Sequence, residues 1–160
     1  MNVIFLDIDG VLNSWKYDHL YKTASDGNID ETRLPLLKRL VESSDAKIVL
    51  SSSWRKHWSR DRSRCDSIGI ALEETFSKHQ LSIFDKTPTL PSNDRAEEIK
   101  LWLDQNKAFS NFVIIDDIRF GWSGLEEHVV NTNDRIGRGL EETHVLKALR
   151  ILNGTKHQKK

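Results

Sequence analysis

The chain predicts an α/β domain, three layers deep, built on a mostly parallel sheet. Three observations carry that prediction. Short apolar runs at 3–6 (VIFL), 47–50 (KIVL) and 112–115 (FVII) show no alternation, as strands buried on both faces do. Stretches with helical apolar periodicity separate them, which is the βαβ pattern. Each run also stops abruptly on acids or hydroxyls, and parallel strands gather such groups at one sheet edge.

In chain order, the first run ends on Asp7 and Asp9, with Gly10 permitting a sharp turn. Leu34, Leu37 and Val41 share one face of a helix expected over 30–44. KIVL follows and ends on Ser51, Ser52 and Ser53. A helix is expected at about 54–67, then a break at Gly69, a short helix near 72–77, and a loop through Pro88 and Pro91. Ala96, Ile99 and Leu103 mark a helix over 94–106. There Asp94 and Glu97 resemble a capping box that places Arg95 in the first turn. FVII ends on Asp116 and Asp117. EHVVN (127–131) reads as a weaker strand near the edge, and Leu146, Leu149 and Leu152 define a last helix over 141–153. Residues 1–153 thus form a single domain, and 154–160 a flexible basic tail. No interval between strands is long enough for a lid domain.

Composition narrows the function classes. Lys+Arg and Asp+Glu are both 24, so zero net charge gives no global argument for nucleic acid or membrane. The single cysteine, Cys65, excludes an internal disulfide and suits a reducing compartment. No apolar run approaches the ~20 residues of a membrane span, and the N-terminal run carries the Asp pair rather than a signal-peptide pattern. The expectation is a cytoplasmic domain with no membrane contact and no obligate protein partner.

The strand ends supply up to four carboxylates, a hydroxyl cluster and a cation at a helix start. Carboxylates crowded at one site repel unless a counter-ion is shared, and hard oxygen donors suit Mg²⁺ better than zinc. Ser51 and neighbouring amides can hold phosphoryl oxygens while Arg95 or Lys86 offsets their charge.

FLDIDGVLN, KIVLSSSW and FVIIDD, in that order, resemble the haloacid dehalogenase (HAD) superfamily of Mg²⁺-dependent phosphohydrolases, over nearly the whole chain. More narrowly, SSSWR, the TP followed by an R-x-E-E-I helix, IIDD and the late GL-E segment are similar to HAD domains of Swiss Army knife RNA-repair proteins. The resemblance implies a Rossmann-like HAD fold without a large cap. It also implies a phosphomonoesterase working through an aspartyl-phosphate, with a phosphorylated substrate, an RNA or DNA end among the candidates. Asp7 then corresponds to the nucleophile and Asp9 to the general acid and later base. Asp7, the Asp9 carbonyl and Asp117 correspond to Mg²⁺ ligands, with Asp116 beside them as a ligand or supporting group. Ser51 matches the phosphoryl-binding hydroxyl, and Ser52 takes that place if the strand ends one residue later. Arg95 stands where the family usually has Lys, and Lys86 is the substitute for it.

Other signals divide between function and framework. Arg55, Lys56, His57, Arg60, Arg62 and Arg64 form a basic run beside Trp54 and Trp58. It reads either as a nucleic-acid track that starts at Arg55 or as a solvated face whose tryptophans are core. Asn13, Trp15 and Tyr17 fall on the flap after the Asp pair. The six histidines show no metal-ligand spacing, and Gly137 and Gly139 read as a turn rather than a phosphate loop. The alternatives left standing are a nucleotide or small-molecule phosphatase and a non-catalytic binding module on the same fold.

Overall fold

The structure is a computed structural model, and it describes residues 1–14, 29–133 and 136–157. Five strands form one all-parallel sheet in the order β3-β2-β1-β4-β5. They are β1 (Asn2–Leu6), β2 (Lys47–Leu50), β3 (Ile83–Lys86), β4 (Asn111–Asp116) and β5 (Val129–Asn131). The helices are α1 (Leu34–Ser44), α2 (Ser67–Lys78), α3 (Arg95–Gln105) and α4 (Glu142–His157). The VIFL run is central, as expected. Its side chains alternate between two cores because successive strand residues point to opposite faces. Ile4 and Leu6 pack with Leu37, Leu40, Phe76 and Ala148 from α1, α2 and α4. Val3 and Phe5 pack with Ile99 and Trp102 of α3 and with Trp122. The three layers follow from that division, and no large cap is present among the described residues.

Three segments differ from the sequence expectation. The helix expected over 54–67 is replaced by 3-10 turns at Ser53–Lys56 and Arg62–Arg64, ahead of α2. Local capping explains this. Ser52 accepts from the Trp54 amide, Asp61 from the Ser63 amide, and Asp66 from the Ile68 and Gly69 amides, so the chain restarts three times. Gly69 does not break a helix but lies within α2. A Cβ there would stand 1.9 Å from the His57 carbonyl oxygen, so the glycine permits close approach of two backbones. Strand β3 was not expected from IFDK, whose Asp85 and Lys86 disguise an edge strand. Finally, α4 runs to His157, past the expected start of the tail.

The remaining elements agree within a few residues. A 3-10 turn at Glu31–Arg33, capped by Asp30, precedes α1, and β5 is preceded by another at Glu126–His128. Half of the capping box forms on α3: Asp94 accepts from the Ala96 and Glu97 amides, while the Glu97 side chain pairs with Lys100. Trp15, Tyr17 and His19 lie outside the described residues. No helix among those described is long and apolar enough to cross a membrane.

Candidate active site

The site is assembled at the carboxyl edge of β1, β2 and β4. Past β1 the Asp7 amide still donates to the Ile115 carbonyl (3.0 Å), and past β2 the Ser51 amide donates to the Leu6 carbonyl (2.9 Å). Both residues are therefore held by the sheet itself. Asp7 is 2% exposed, and its Oδ1 accepts from the Ile8 amide at 2.9 Å. Asp116, the last residue of β4, is fully buried and accepts from the Ile118 amide at 2.9 Å. Asp117 completes the group, and one oxygen of each of the three carboxylates lies within 4.8 Å of the others. Gly10 makes room for it. At φ +84°, its missing Cβ would sit 2.3 Å from Asp117 Oδ2.

Among the described residues, one cation pairs with these acids. Arg95, at the start of α3, places Nη1 3.1 Å from Asp7 Oδ2 and 2.6 Å from Asp116 Oδ2. Burial pushes the Asp7 carboxyl well above its ordinary range. The charge of Asp116 adds to the rise, and Arg95 only partly opposes it. Burial likewise raises Asp116 against the pull of Arg95. Arg95 itself is held more firmly charged: burial opposes its charge, but Asp7 and Asp116 outweigh that effect. Three carboxylates against one guanidinium leave an excess of negative charge that a divalent cation would cancel. The all-oxygen donor set fits a hard ion of the Mg²⁺ class.

The hydroxyl of Ser51 is fully buried and has no hydrogen-bond partner among the described residues. An orphaned buried hydroxyl costs about 1–3 kcal/mol, a cost that a bound oxyanion accepting its proton would remove. Ser52 differs. Its hydroxyl is occupied in accepting from the Trp54 amide at 3.2 Å.

The other expected residues are placed as follows. Asp9 is exposed, and its carboxylate stands apart from the buried triad. Its Oδ2 accepts from Trp54 Nε1 at 3.0 Å and its Oδ1 from Asn13 Nδ2 at 2.9 Å. Arg55 is turned inward, 8% exposed, with Nη2 3.0 Å from Glu98 and Nε 2.9 Å from Thr89 Oγ1. Lys86 donates to the carbonyls of Arg55 (2.9 Å) and Trp58 (2.6 Å). Both cations, expected at the substrate, instead brace the turn after β2. Of the two candidates for the motif cation, Arg95 is the one beside Asp7.

The other arginines of the basic run are also paired. Arg62 meets Glu73 and Glu74, Arg64 meets Asp61, and Arg60 lies over the Phe84 ring, donates to the Phe84 carbonyl and approaches Asp85. Trp58 is buried in the core while Trp54 is half-buried against its edge, a split that no sequence spacing announces.

This architecture matches a known family over most of its length. The family model described as "HAD domain in Swiss Army Knife RNA repair proteins" covers residues 3–145. The chain belongs to this HAD family. Membership points to a phosphatase-type hydrolase of a kind that generally uses a divalent metal, and the buried Asp triad is where such an ion would sit. No curated protein and no solved structure matches the chain.

Proposed function

We propose that this HAD domain is a Mg²⁺-dependent phosphomonoesterase that acts through an aspartyl-phosphate on phosphorylated nucleic-acid ends. The observation that carries the reading is the cluster of Asp7, Asp116 and Asp117, with Arg95 the one cation paired to it among the described residues. Such an arrangement is unfavourable without a ligand. The orphaned Ser51 hydroxyl beside it supports a phosphoryl group as that ligand.

Mg²⁺, held by Asp7, Asp117 and the Asp9 carbonyl with Asp116 behind them, would screen the repulsion between nucleophile and phosphate. A carboxylate oxygen of Asp7 attacks phosphorus, and the bond to the leaving oxygen breaks. Asp9 gives that oxygen its proton. Ser51 donates to a phosphoryl oxygen, and Arg95 balances the charge that builds up there. In the second step Asp9 takes a proton from water, the water oxygen bonds to phosphorus, and the Asp7–phosphorus bond breaks. Phosphate leaves, and Asp7 is restored.

Two things favour a nucleic-acid end as substrate: the RNA-repair context of the family, and the lack of a large cap among the described residues. A small-molecule substrate is favoured by a different observation, the internal pairing of the Arg60–Arg64 side chains. Phosphate release from 3′- and 5′-phosphorylated oligonucleotides, matching mononucleotides and sugar phosphates decides between them. Activity should require Mg²⁺, vanish in chelator, and fall by at least about 10³-fold in Asp7→Asn. Asp117→Ala should lose metal-dependent activity and keep the fold. Full activity of either variant rejects the mechanism, and equal efficiency on oligonucleotide and mononucleotide rejects the nucleic-acid reading.

A further inference from the structure

The group that must move protons in the reaction proposed above is an exposed acid that lies past the end of its strand. Asp9 follows the end of β1 and is exposed, whereas Asp7 and Asp116 are buried. A general acid works only within about 2.6–3.2 Å of the atom it protonates. A carboxylate free to rotate in solvent would spend little time there.

Two N–H groups remove that freedom, one on each oxygen. Asn13 Nδ2 donates to Oδ1 at 2.9 Å, and Asn13 Oδ1 in turn accepts from the Gly10 amide at 3.0 Å, closing the β1 loop on itself. Trp54 Nε1 donates to Oδ2 at 3.0 Å across a sequence separation of 45 residues. Trp54 is fixed in its turn. It sits in the 3-10 turn Ser53–Lys56, its amide bonded to Ser52 Oγ. That turn begins two residues after Ser51, so one short segment sets both the phosphoryl-binding hydroxyl and the donor that orients the acid.

We propose that Trp54 is the positioning residue for proton transfer, with its indole N–H holding Asp9 toward the leaving oxygen. The chemistry of the group suits the task. An indole N–H donates and does not accept, so it cannot compete with Asp9 for the transferred proton. It does not titrate in the working range, so it stays a donor throughout the reaction. Trp54 packs one side against the core but, unlike Trp58, is only partly buried, which leaves its indole N–H free to reach Asp9.

The inference rests on the phosphomonoesterase reading, and the test separates the two. Trp54→Phe keeps a ring and removes the N–H. The first burst of leaving group, which reports phosphoenzyme formation, is measured with an alkyl phosphate and with nitrophenyl phosphate, whose leaving group needs no proton. We expect the variant to lose about 10-fold on the alkyl ester, part of the roughly 10²–10⁴ that a general acid supplies, and to lose little on the aryl ester. KM should be unchanged for both. Trp54→His, which restores a ring N–H, should recover part of the ratio. In an Asp9→Asn background, Trp54→Phe should have no further effect, because it acts through Asp9. Equal losses on both esters, or losses that add to those of Asp9→Asn, overturn the role of Trp54 while leaving the phosphatase intact. A wild-type protein that turns over neither ester overturns the phosphatase reading and this one with it.

Discussion

The 55–64 segment and the carboxyl edge of the sheet both gather charged side chains, and they resolve that charge in different ways. In the first, most charges find partners: Arg55 with Glu98, His57 with Asp66, Arg62 with Glu73 and Glu74, and Arg64 with Asp61. At the second, three carboxylates gather around a single ion-paired arginine that reaches two of them, and a buried serine hydroxyl has no partner among the described residues. A run of basic residues in a sequence counts charges but does not say which are already spent. Binding sites are where local satisfaction fails inside an otherwise consistent fold. Among the described residues the basic segment has unmet hydrogen bonds of its own, at Trp58 Nε1 and at Oε1 of its partner Glu98, so it is the crowding of like charges that marks the carboxyl edge as the candidate functional region.

The sharpest way to break the comparison is to unpair the satisfied region. Glu98 is fully buried, held by Arg55 and by the Leu90 amide at 2.8 Å. Arg55→Ala would leave its carboxylate buried without a counter-charge, which costs about 3–5 kcal/mol. We expect a large drop in denaturant midpoint with little change in the activity of whatever fraction stays folded. Replacing both residues with apolar ones of similar volume should recover much of the loss. If Arg55→Ala instead leaves stability intact and raises KM, Arg55 is a substrate contact and the division drawn above is wrong.

The unsatisfied region should show the reverse behaviour, with stability governed by pH and metal. Asp7 and Asp116 are both raised in the fold, so each binds its proton more tightly folded than unfolded. Their contribution is fully present below the unfolded carboxylate range and is lost as pH rises through the raised values. Metal-free protein should therefore show, from these two groups, a Tm that declines with rising pH above the usual carboxylate range. Saturating Mg²⁺ should raise Tm most at the high end of the window and flatten the decline, because the ion stabilises the ionised carboxylates. In Asp117→Asn the metal-induced rise should shrink. A metal-free profile that climbs with pH would contradict the crowding argument.

How far the sequence could be read follows the same division. The strands VIFL, KIVL and FVII were legible because burial on both faces leaves an unmixed apolar run, and their polar ends located Asp7, Ser51, Asp116 and Asp117. Arg95 was legible through Asp94, whose capping pattern marked the start of α3. The 54–67 stretch was not. Ser52, Asp61 and Asp66 each offer the backbone a local bond that competes with the helix, and apolar periodicity does not register that competition. Strand β3 was hidden because an edge strand tolerates Asp85 and Lys86. The different fates of Trp54 and Trp58 depend on tertiary contacts alone, the first reaching Asp9 and the second entering the core.

The smallest expected effect concerns the cations that face a substrate, and it sharpens the comparison most directly. Arg60 and Arg62 already hold internal partners, so their replacement by Ala should change the salt dependence of activity on a phosphorylated oligonucleotide by little. Arg119 differs. It is exposed two residues past Asp117, and Phe120 beside it is 85% exposed. The loop carrying them is nonetheless fixed, with the Ile118 carbonyl accepting from Trp122 Nε1 at 2.7 Å and from Asn131 Nδ2 at 2.6 Å. A cation next to an aromatic on a fixed loop suits a phosphate backbone and a base face. Arg119→Ala should therefore flatten the slope of log(kcat/KM) against log salt by about 0.7–0.9, the loss of one phosphate contact. Arg60→Ala and Arg62→Ala serve as controls in the same series. A flattened slope in the controls and none in Arg119→Ala would return the basic run to the substrate and assign the exposed loop to framework.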